Sequence, residues 1–335
     1  MTRLRVGVLG LGAFGESHIR AYRGLPYVEI AAVASRSASR AAEIAERYEI
    51  PVAYGSHDEL IADTSIDAVS ITTAEHEHRE PVLAALATGK HVLVEKPIAS
   101  TLEDAAAMVE AARTSTGILV PGHILRFAPT YVGVKAAVTS GDLGRVVAIS
   151  ARRNRPASLV ESHGRVHPAL ITAIHDIDIM CWIAGCPVSR VRAIDRIAER
   201  DDGAHGLWGM LEFEDGTVAM LETSWLLPAG AEIGTDDAFH VTGTLGTAKV
   251  QIDMPPLRVW TARGSTAPDV NYEPDLFGVT SGALGNELAH FAQCAMAGTP
   301  SQVVTPEDGA RALAVVLALI EAASTGETVT PERVG

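Results

Sequence analysis

The chain is poor in cysteine, in aromatic side chains, in basic charge and in long apolar runs, and each shortage narrows what it can be. Three cysteines in 335 residues, Cys181, Cys186 and Cys294, are too few and too scattered for a disulfide framework or a cysteine-based metal site. No metal is expected, and a reduced, cytoplasmic setting is. The longest apolar stretch, LAVVLALI at residues 313–320, falls far short of the roughly 20 residues a membrane helix needs. The opening MTRLRVGVLG is not expected to be a signal peptide, because glycines interrupt its apolar run and it leads into a nucleotide-binding pattern. Lys and Arg number 27 against 41 Asp and Glu, a net charge of −14. Nothing neutralises phosphates in bulk, so neither nucleic acid nor an anionic membrane is an expected partner. The one dense basic run, ARRNR at 151–155, reads as a solvated or substrate-facing strand patch. Among the scarce aromatics, Trp225 and Tyr272 are candidates for stacking on a sugar, with core or interface packing the favoured reading of both.

What is present is the patterning of a soluble two-domain protein. Through about residue 120, apolar runs (RVGVLG, VEIAAVAS, DAVSITT, HVLVE, GILV) alternate with segments of helical spacing. That alternation predicts a parallel, doubly wound α/β sheet. After about Gly122 the pattern changes: a helix in APTYVGVKAAVTSGDLG, a strand in RVVAISARRN, a loop, and a helix around ITAIHDIDIM. Strand then follows strand from Val188 to about Trp260, with a hairpin turning at Asp215-Gly216. A last helix is expected after Thr305, a candidate cap, with Pro306 at its first position. The second half is therefore expected to be an α+β domain on an open, mainly antiparallel sheet. The division expected is 1–122 and 123–335.

Gly10-Leu11-Gly12-Ala13-Phe14-Gly15 fits G-x-G-x-x-G between a strand and a helix, the context that gives the pattern meaning. Gly10 permits the turn, Gly12 lets backbone approach a pyrophosphate, and Gly15 lets the helix pack close. The helix start then offers N–H groups and positive dipole to the phosphates. This predicts a Rossmann dinucleotide site. An NAD enzyme usually carries Asp or Glu at the end of the second strand, yet no acid occurs between Glu29 and Glu43. Ser35 and Arg36, with Arg40 behind them, suit a 2′-phosphate instead, so NADP is favoured and NAD stays open.

GLGAFGESHIRAY, ATGKHVLVEKPIA, RFAPTY and HDID, in that order and spacing, resemble the Gfo/Idh/MocA oxidoreductases across essentially the whole chain. The resemblance implies NAD(P)-dependent hydride transfer between a nicotinamide and a ring hydroxyl or ketone of a sugar, inositol or related polyol. It also implies a homo-oligomer, dimer or tetramer, with the open sheet at the interface. HVLVEKP ends a buried strand, so Lys96 emerges at the carboxyl edge of the sheet, where a lysine can steady a developing alkoxide. The family's matching lysine is catalytic or substrate-orienting, and its bond to the following proline is often cis. Thr73, His78, Glu95 and Lys96 join Ala13 and Phe14 as cofactor-side residues by the same resemblance. The sequence departs from the pattern at Ala74 and Glu75, where the family has Pro and Asn. The cluster EHEHRE reads as a solvated first helical turn rather than a metal site.

The helix histidine of the family matches His175, but the aspartate expected four residues earlier is Ile171. Asp178, one turn on, can approach His175 and raise its basicity, giving Lys96, His175 and Asp178 as the catalytic candidates. Asp176 points elsewhere and reads as structural or solvated. His123, Arg126, Arg153, Asn154, His163 and His167 are candidate substrate contacts, with surface or loop roles as alternatives. Two rival functions remain: a same-fold reductase of a non-sugar substrate, and a non-catalytic dinucleotide-sensing regulator. Ile171 favours the regulator, and the retained Lys96 and His175 weigh against it.

Overall fold

The computed structural model describes residues 3–197, 205–228, 235–252, 257–262 and 264–334. The chain divides into two compact units. One comprises Met1–Ala128, Asn271–Ala310 and Val334–Gly335, the other Pro129–Val270 and Arg311–Arg333.

The first unit is built on six parallel strands: β1 (Leu4–Leu9), β2 (Val28–Ala34), β3 (Val52–Tyr54), β4 (Ala68–Ile71), β5 (His91–Glu95) and β6 (Leu119–Gly122). Their order, β3-β2-β1-β4-β5-β6, is that of a doubly wound dinucleotide fold. The connecting helices are α1 (Ala13–Arg23), α2 (Ala38–Tyr48), α3 (His57–Ala62), α4 (Arg79–Ala87) and α5 (Leu102–Thr114). The strands form because both faces are covered, so β4 is buried throughout and Val92, Leu93 and Val94 of β5 are fully buried. Serine or threonine starts three of the helices: Ser37, Ser56 and Thr101 each accept a hydrogen bond from the backbone N–H three residues on. Such a cap stabilises a helix by about 1 kcal/mol. The short β3 and α3 carry too few apolar residues to stand out in the sequence, and neither was expected.

The second unit carries a mixed six-stranded sheet, mostly antiparallel. Its elements are α6 (Pro129–Thr139), β7 (Val146–Pro156), α7 (Leu159–His163), α8 (Ile174–Ala184), β8 (Val188–Ile197), β9 (His205–Phe213), β10 (Val218–Leu227), β11 (Asp236–Gly243) and β12 (Thr247–Gln251). The order is β12-β11-β7-β10-β9-β8, with only β7 and β10 parallel. Side chains alternate between the faces with period two. Ile149, Ala219, Leu221, Leu207, Leu211, Phe239 and Val241 lie on the buried face. Ile194, Trp208, Met210, Val218 and Met220 remain exposed on the other. The hairpin expected at Asp215-Gly216 joins β9 to β10, with Gly216 at φ 87°.

Two helices close the chain: α9 (Gly282–Ala297) and α10 (Pro306–Thr325). A cut after residue 122 did not anticipate that 271–310 belong to the first unit. Packing supplies the reason, because Leu284, Leu288 and Phe291 make α9 a buried helix, and it packs on α1. α10 begins with a reciprocal cap: Asp308 N–H donates to Thr305 Oγ1 (3.2 Å) and Thr305 N–H to Asp308 Oδ2 (3.0 Å). No described helix is long and apolar enough to cross a membrane.

Candidate active site

In the first unit, the chain leaves β1 through Gly10, whose φ of 88° suits glycine, and enters α1 at Ala13. A Cβ on Gly10 would lie 2.7 Å from the Thr72 backbone, and one on Gly15 would lie 2.1 Å from Gly10 O. A Cβ on Gly12 would meet nothing within 4 Å, and no side chain caps the helix it starts. The turn is thus tight where helix and neighbouring strand press on it, and open at the N–H groups of Ala13, Phe14 and Gly15. Thr72 Oγ1 braces it by donating to Gly10 O (2.6 Å). Thr73 Oγ1 is buried and has no hydrogen-bond partner among the described residues. An open glycine cradle, a free helix start and an orphaned hydroxyl fit a dinucleotide.

At the end of β2, Ser35 Oγ accepts from Ser37 N–H (3.2 Å), and Arg36 Nη1 lies 2.6 Å from Glu77 Oε1. Arg40 differs from expectation. Its guanidinium donates to Leu11 O (3.1 Å), Glu16 (2.5 Å) and Glu43 (2.9 Å), so it braces the glycine turn from behind rather than reaching for a phosphate.

β5 delivers Glu95 and Lys96 to the carboxyl edge of the sheet, and the Lys96–Pro97 bond is cis. Lys96 is half-buried there. Glu95 turns inward: Oε2 accepts from Lys96 N–H (3.2 Å) and Oε1 lies 3.2 Å from Nε2 of the fully buried His18. The other His18 nitrogen is 2.8 Å from Ser70 Oγ on β4. Gly122, opposite Glu95 on β6, makes room for this carboxylate, since a Cβ there would lie 2.6 Å from Oε1. Glu95 therefore holds the turn that carries Lys96. His18 and Gly122 were not singled out from the sequence. The only signal was that His18 lies one turn on from Gly15 on the buried side of α1.

The EHEH cluster is not a solvated turn. His76 is exposed, but Glu75 and His78 are buried. The His78 ring spans two strand ends, Nε2 lying 3.1 Å from Thr73 O and Nδ1 3.0 Å from Pro97 O. Burial holds its pKa below the ordinary histidine value despite those carbonyls. The ring clamps the β4 loop to the cis turn, and a clamp is a different task from touching the cofactor.

His123 and Arg126 are also buried in this unit. Arg126 Nη1 donates to Val303 O (2.7 Å) and Asp308 Oδ2 (3.0 Å). Tying the segment before α10 occupies the guanidinium, so the expected substrate contact gives way to a structural one.

In the second unit, His175 lies half-buried in the first turn of α8, which follows a π-helical turn, Ala169–Ala173, that includes Ile171. Such turns recur at functional sites. Asp178 is buried one turn beyond His175 on the same helix. Asp176 is fully buried and receives two hydrogen bonds from Arg153, at 2.6 and 3.0 Å. Arg153 also donates to Asp237 (2.7 Å) and Tyr131 (3.1 Å). Burial pushes the Asp176 pKa up, with Arg153 opposing. At Asp237 burial also pushes upward, but Arg153 and Arg155 prevail and hold the pKa down. Arg153 is therefore an internal strut between β7, α8 and β11, not a substrate contact. Asn154 is likewise buried and occupied, by Glu222 (2.8 Å), Asp236 (3.2 Å) and Ser224 (2.8 Å). Trp225 is core, its Nε1 donating to Thr172 Oγ1 (2.8 Å), and His163 on α7 sits edge-on to it at 6.5 Å.

His167, Asp195 and His205 form the one group among the described residues with a metal-ligand composition. Ala169 N–H donates to His167 Nδ1 (3.0 Å), so the ring proton sits on Nε2 and is aimed at Asp195 Oδ2 (3.1 Å). A metal on Nε2 would need a proton on Nδ1, where a donor already points, and the group reads as hydrogen-bonded.

The family assignment follows from comparison with known proteins. Residues 4–123 match the oxidoreductase family with NAD-binding Rossmann fold, and residues 131–249 match the GFO/IDH/MocA C-terminal domain. The chain belongs to the GFO/IDH/MocA oxidoreductases. It is 32% identical to the 1,5-anhydro-D-fructose reductase of Ensifer adhaerens over 319 residues, 91% of each chain. It is 31% identical to inositol 2-dehydrogenase 2 of Saccharopolyspora erythraea, covering 98% of this chain and 96% of that one. Its fold matches scyllo-inositol dehydrogenase from Lactobacillus casei, solved with NAD(H) and scyllo-inositol, at a TM-score of 0.82 and 22% identity, covering 98% and 99% of the two chains.

Proposed function

We propose that this oxidoreductase transfers hydride between a nicotinamide dinucleotide and a ring hydroxyl or ketone of a sugar, inositol or related polyol, in the cytoplasm. The observation that carries the reading is the Glu95–Lys96–cis-Pro97 turn, held at the sheet edge that also bears the open glycine cradle. The reductase and dehydrogenase names of its relatives support the substrate class. When bound, the dinucleotide supplies hydride exchange at its nicotinamide ring. Gly12 and the start of α1 hold the pyrophosphate. Lys96 donates to the substrate oxygen and steadies its developing charge. His175 takes the hydroxyl proton in oxidation and returns it in reduction, with Asp178 orienting the ring. His163, His167 and His123 are the remaining substrate-side candidates. Ser35 and Arg36, with no acid between Glu29 and Glu43, favour NADP over NAD. The exposed sheet face of the second unit pairs with another copy of the chain.

Lys96→Ala and His175→Ala should each lower turnover by about 100-fold or more, while NADP or NAD still binds in titration calorimetry. Near-normal turnover in both variants would sink the mechanism. Ile171, at the position where the family resemblance implies an acid, supports a second reading as a dinucleotide sensor. A sensor would bind the cofactor and never reduce it with any polyol of a broad panel.

A further inference from the structure

The acid that selects NAD is missing from the end of β2, but a carboxylate reaches that place from another strand. Glu77 lies in the short 3₁₀ turn after β4, Glu75–Glu77, and its Oε1 sits 2.6 Å from Arg36 Nη1. We propose that Glu77 sets the cofactor preference by competing with a 2′-phosphate for Arg36. The proposal rests on the glycine-rich turn being a dinucleotide site.

The two partners are unequal. Arg36 is a long side chain with 77% of its surface exposed, whereas Glu77 is 23% exposed. The Glu77 backbone is fixed, its N–H bonded to Ala74 O (2.8 Å) and its neighbour His78 clamped between Thr73 and Pro97. The carboxylate is thus the stationary partner and the guanidinium the movable one. Arg40 is held by Leu11 O, Glu16 and Glu43, and Arg47 by the same two carboxylates. Besides Arg36, Glu77 has the exposed His76 at 3.8 Å and the His57 ring within electrostatic range, a ring that also feels Arg36.

With NAD bound, the Arg36–Glu77 pair stays closed and leaves a carboxylate beside the ribose hydroxyls, as NAD enzymes arrange from β2. With NADP bound, Arg36 must leave Glu77 to meet the phosphate, and the phosphate faces the carboxylate it displaced. Glu77 therefore weakens NADP binding and keeps NAD usable. An exposed pair contributes about fivefold, the equivalent of about 1 kcal/mol at 1.4 kcal/mol per decade.

Titration calorimetry of the full chain with NADP⁺ and NAD⁺ tests this, using wild type, Glu77→Gln, Arg36→Ala and the double variant. Glu77→Gln should tighten NADP⁺ about fivefold and leave NAD⁺ unchanged or weaker. Arg36→Ala should weaken NADP⁺, and in that background Glu77→Gln should lose most of its effect. If both nucleotides bind and Glu77→Gln leaves their affinity ratio within twofold of wild type, the competition is refuted and the dinucleotide site stands. If wild type binds neither nucleotide, the dinucleotide reading fails and the proposal with it.

Discussion

Glu95 depends on the smallness of its neighbour Gly122. Its carboxylate is buried, accepts from the Lys96 N–H and packs 3.2 Å from His18 Nε2, so it cannot swing away as a surface carboxylate would. A methyl at Gly122 would therefore push against a held group, 2.6 Å away. Gly122→Ala should destabilise the protein by about 1–3 kcal/mol, the usual cost of overpacking, measured by urea unfolding. Turnover should fall with it, because Glu95 holds the turn bearing Lys96, while dinucleotide affinity stays near wild type. An alanine variant with unchanged stability and turnover would show that the carboxylate is not confined. Lys96 and the three glycines were legible because their meaning is local: a strand, a turn and the residues between. His18, Glu77 and Gly122 act through contacts between strand ends far apart in the chain, and no spacing rule reports those.

At the scale of elements, α8 shows what periodicity conveys and what it hides. Ile174, Ile177 and Cys181 form the buried stripe expected of them, yet Asp176, Asp178, Ile179 and Met180 are buried as well. The helix is enclosed on nearly every side, and its acids stay inside because other elements meet them. Arg153 meets Asp176 from β7, in the basic run that on composition alone read as solvated or substrate-facing. The run is split by strand alternation: Arg153 is 2% exposed, while Arg152 faces outward to Asp236 at 2.7 Å. Removing one partner from a buried ionic group costs about 3–5 kcal/mol, against about 0–1 kcal/mol for an exposed pair. Arg153→Ala should thus lose about 3–5 kcal/mol in chemical denaturation, towards the lower end because Asp176 can take up a proton. Arg152→Ala should lose about 1 kcal/mol or less. Equal losses for the two would show that Arg153 is not the strut.

For the whole molecule, fold class followed from alternation and turn chemistry, but the order of the strands and the partner of the exposed sheet face did not, since an exposed apolar residue reads the same in a monomer and at an interface. The second unit supplies the argument. Trp208 stands opposite Ile194 across β9 and β8, and Met210 opposite Met220 across β9 and β10, all 39–55% exposed on one face. Four large apolar side chains in register make a continuous patch rather than scattered exposure, and such patches on a soluble protein mark interaction sites. The chain carries a net charge of −14, which repels a second copy at long range, so association needs a local apolar gain to offset it. A two-fold pairing of the face would bring each patch against its copy and keep the repelling charge at the rim. Wild type should therefore elute as a dimer or tetramer in size-exclusion chromatography with light scattering, and added salt should favour the assembly by screening the acidic charge. Trp208→Glu or Met220→Glu would place like charges at the centre of the contact and should shift the population to monomer with an unchanged far-UV circular dichroism spectrum. A wild-type chain that stays monomeric at tens of micromolar, or variants that keep the wild-type mass, would assign the patch to something other than self-association.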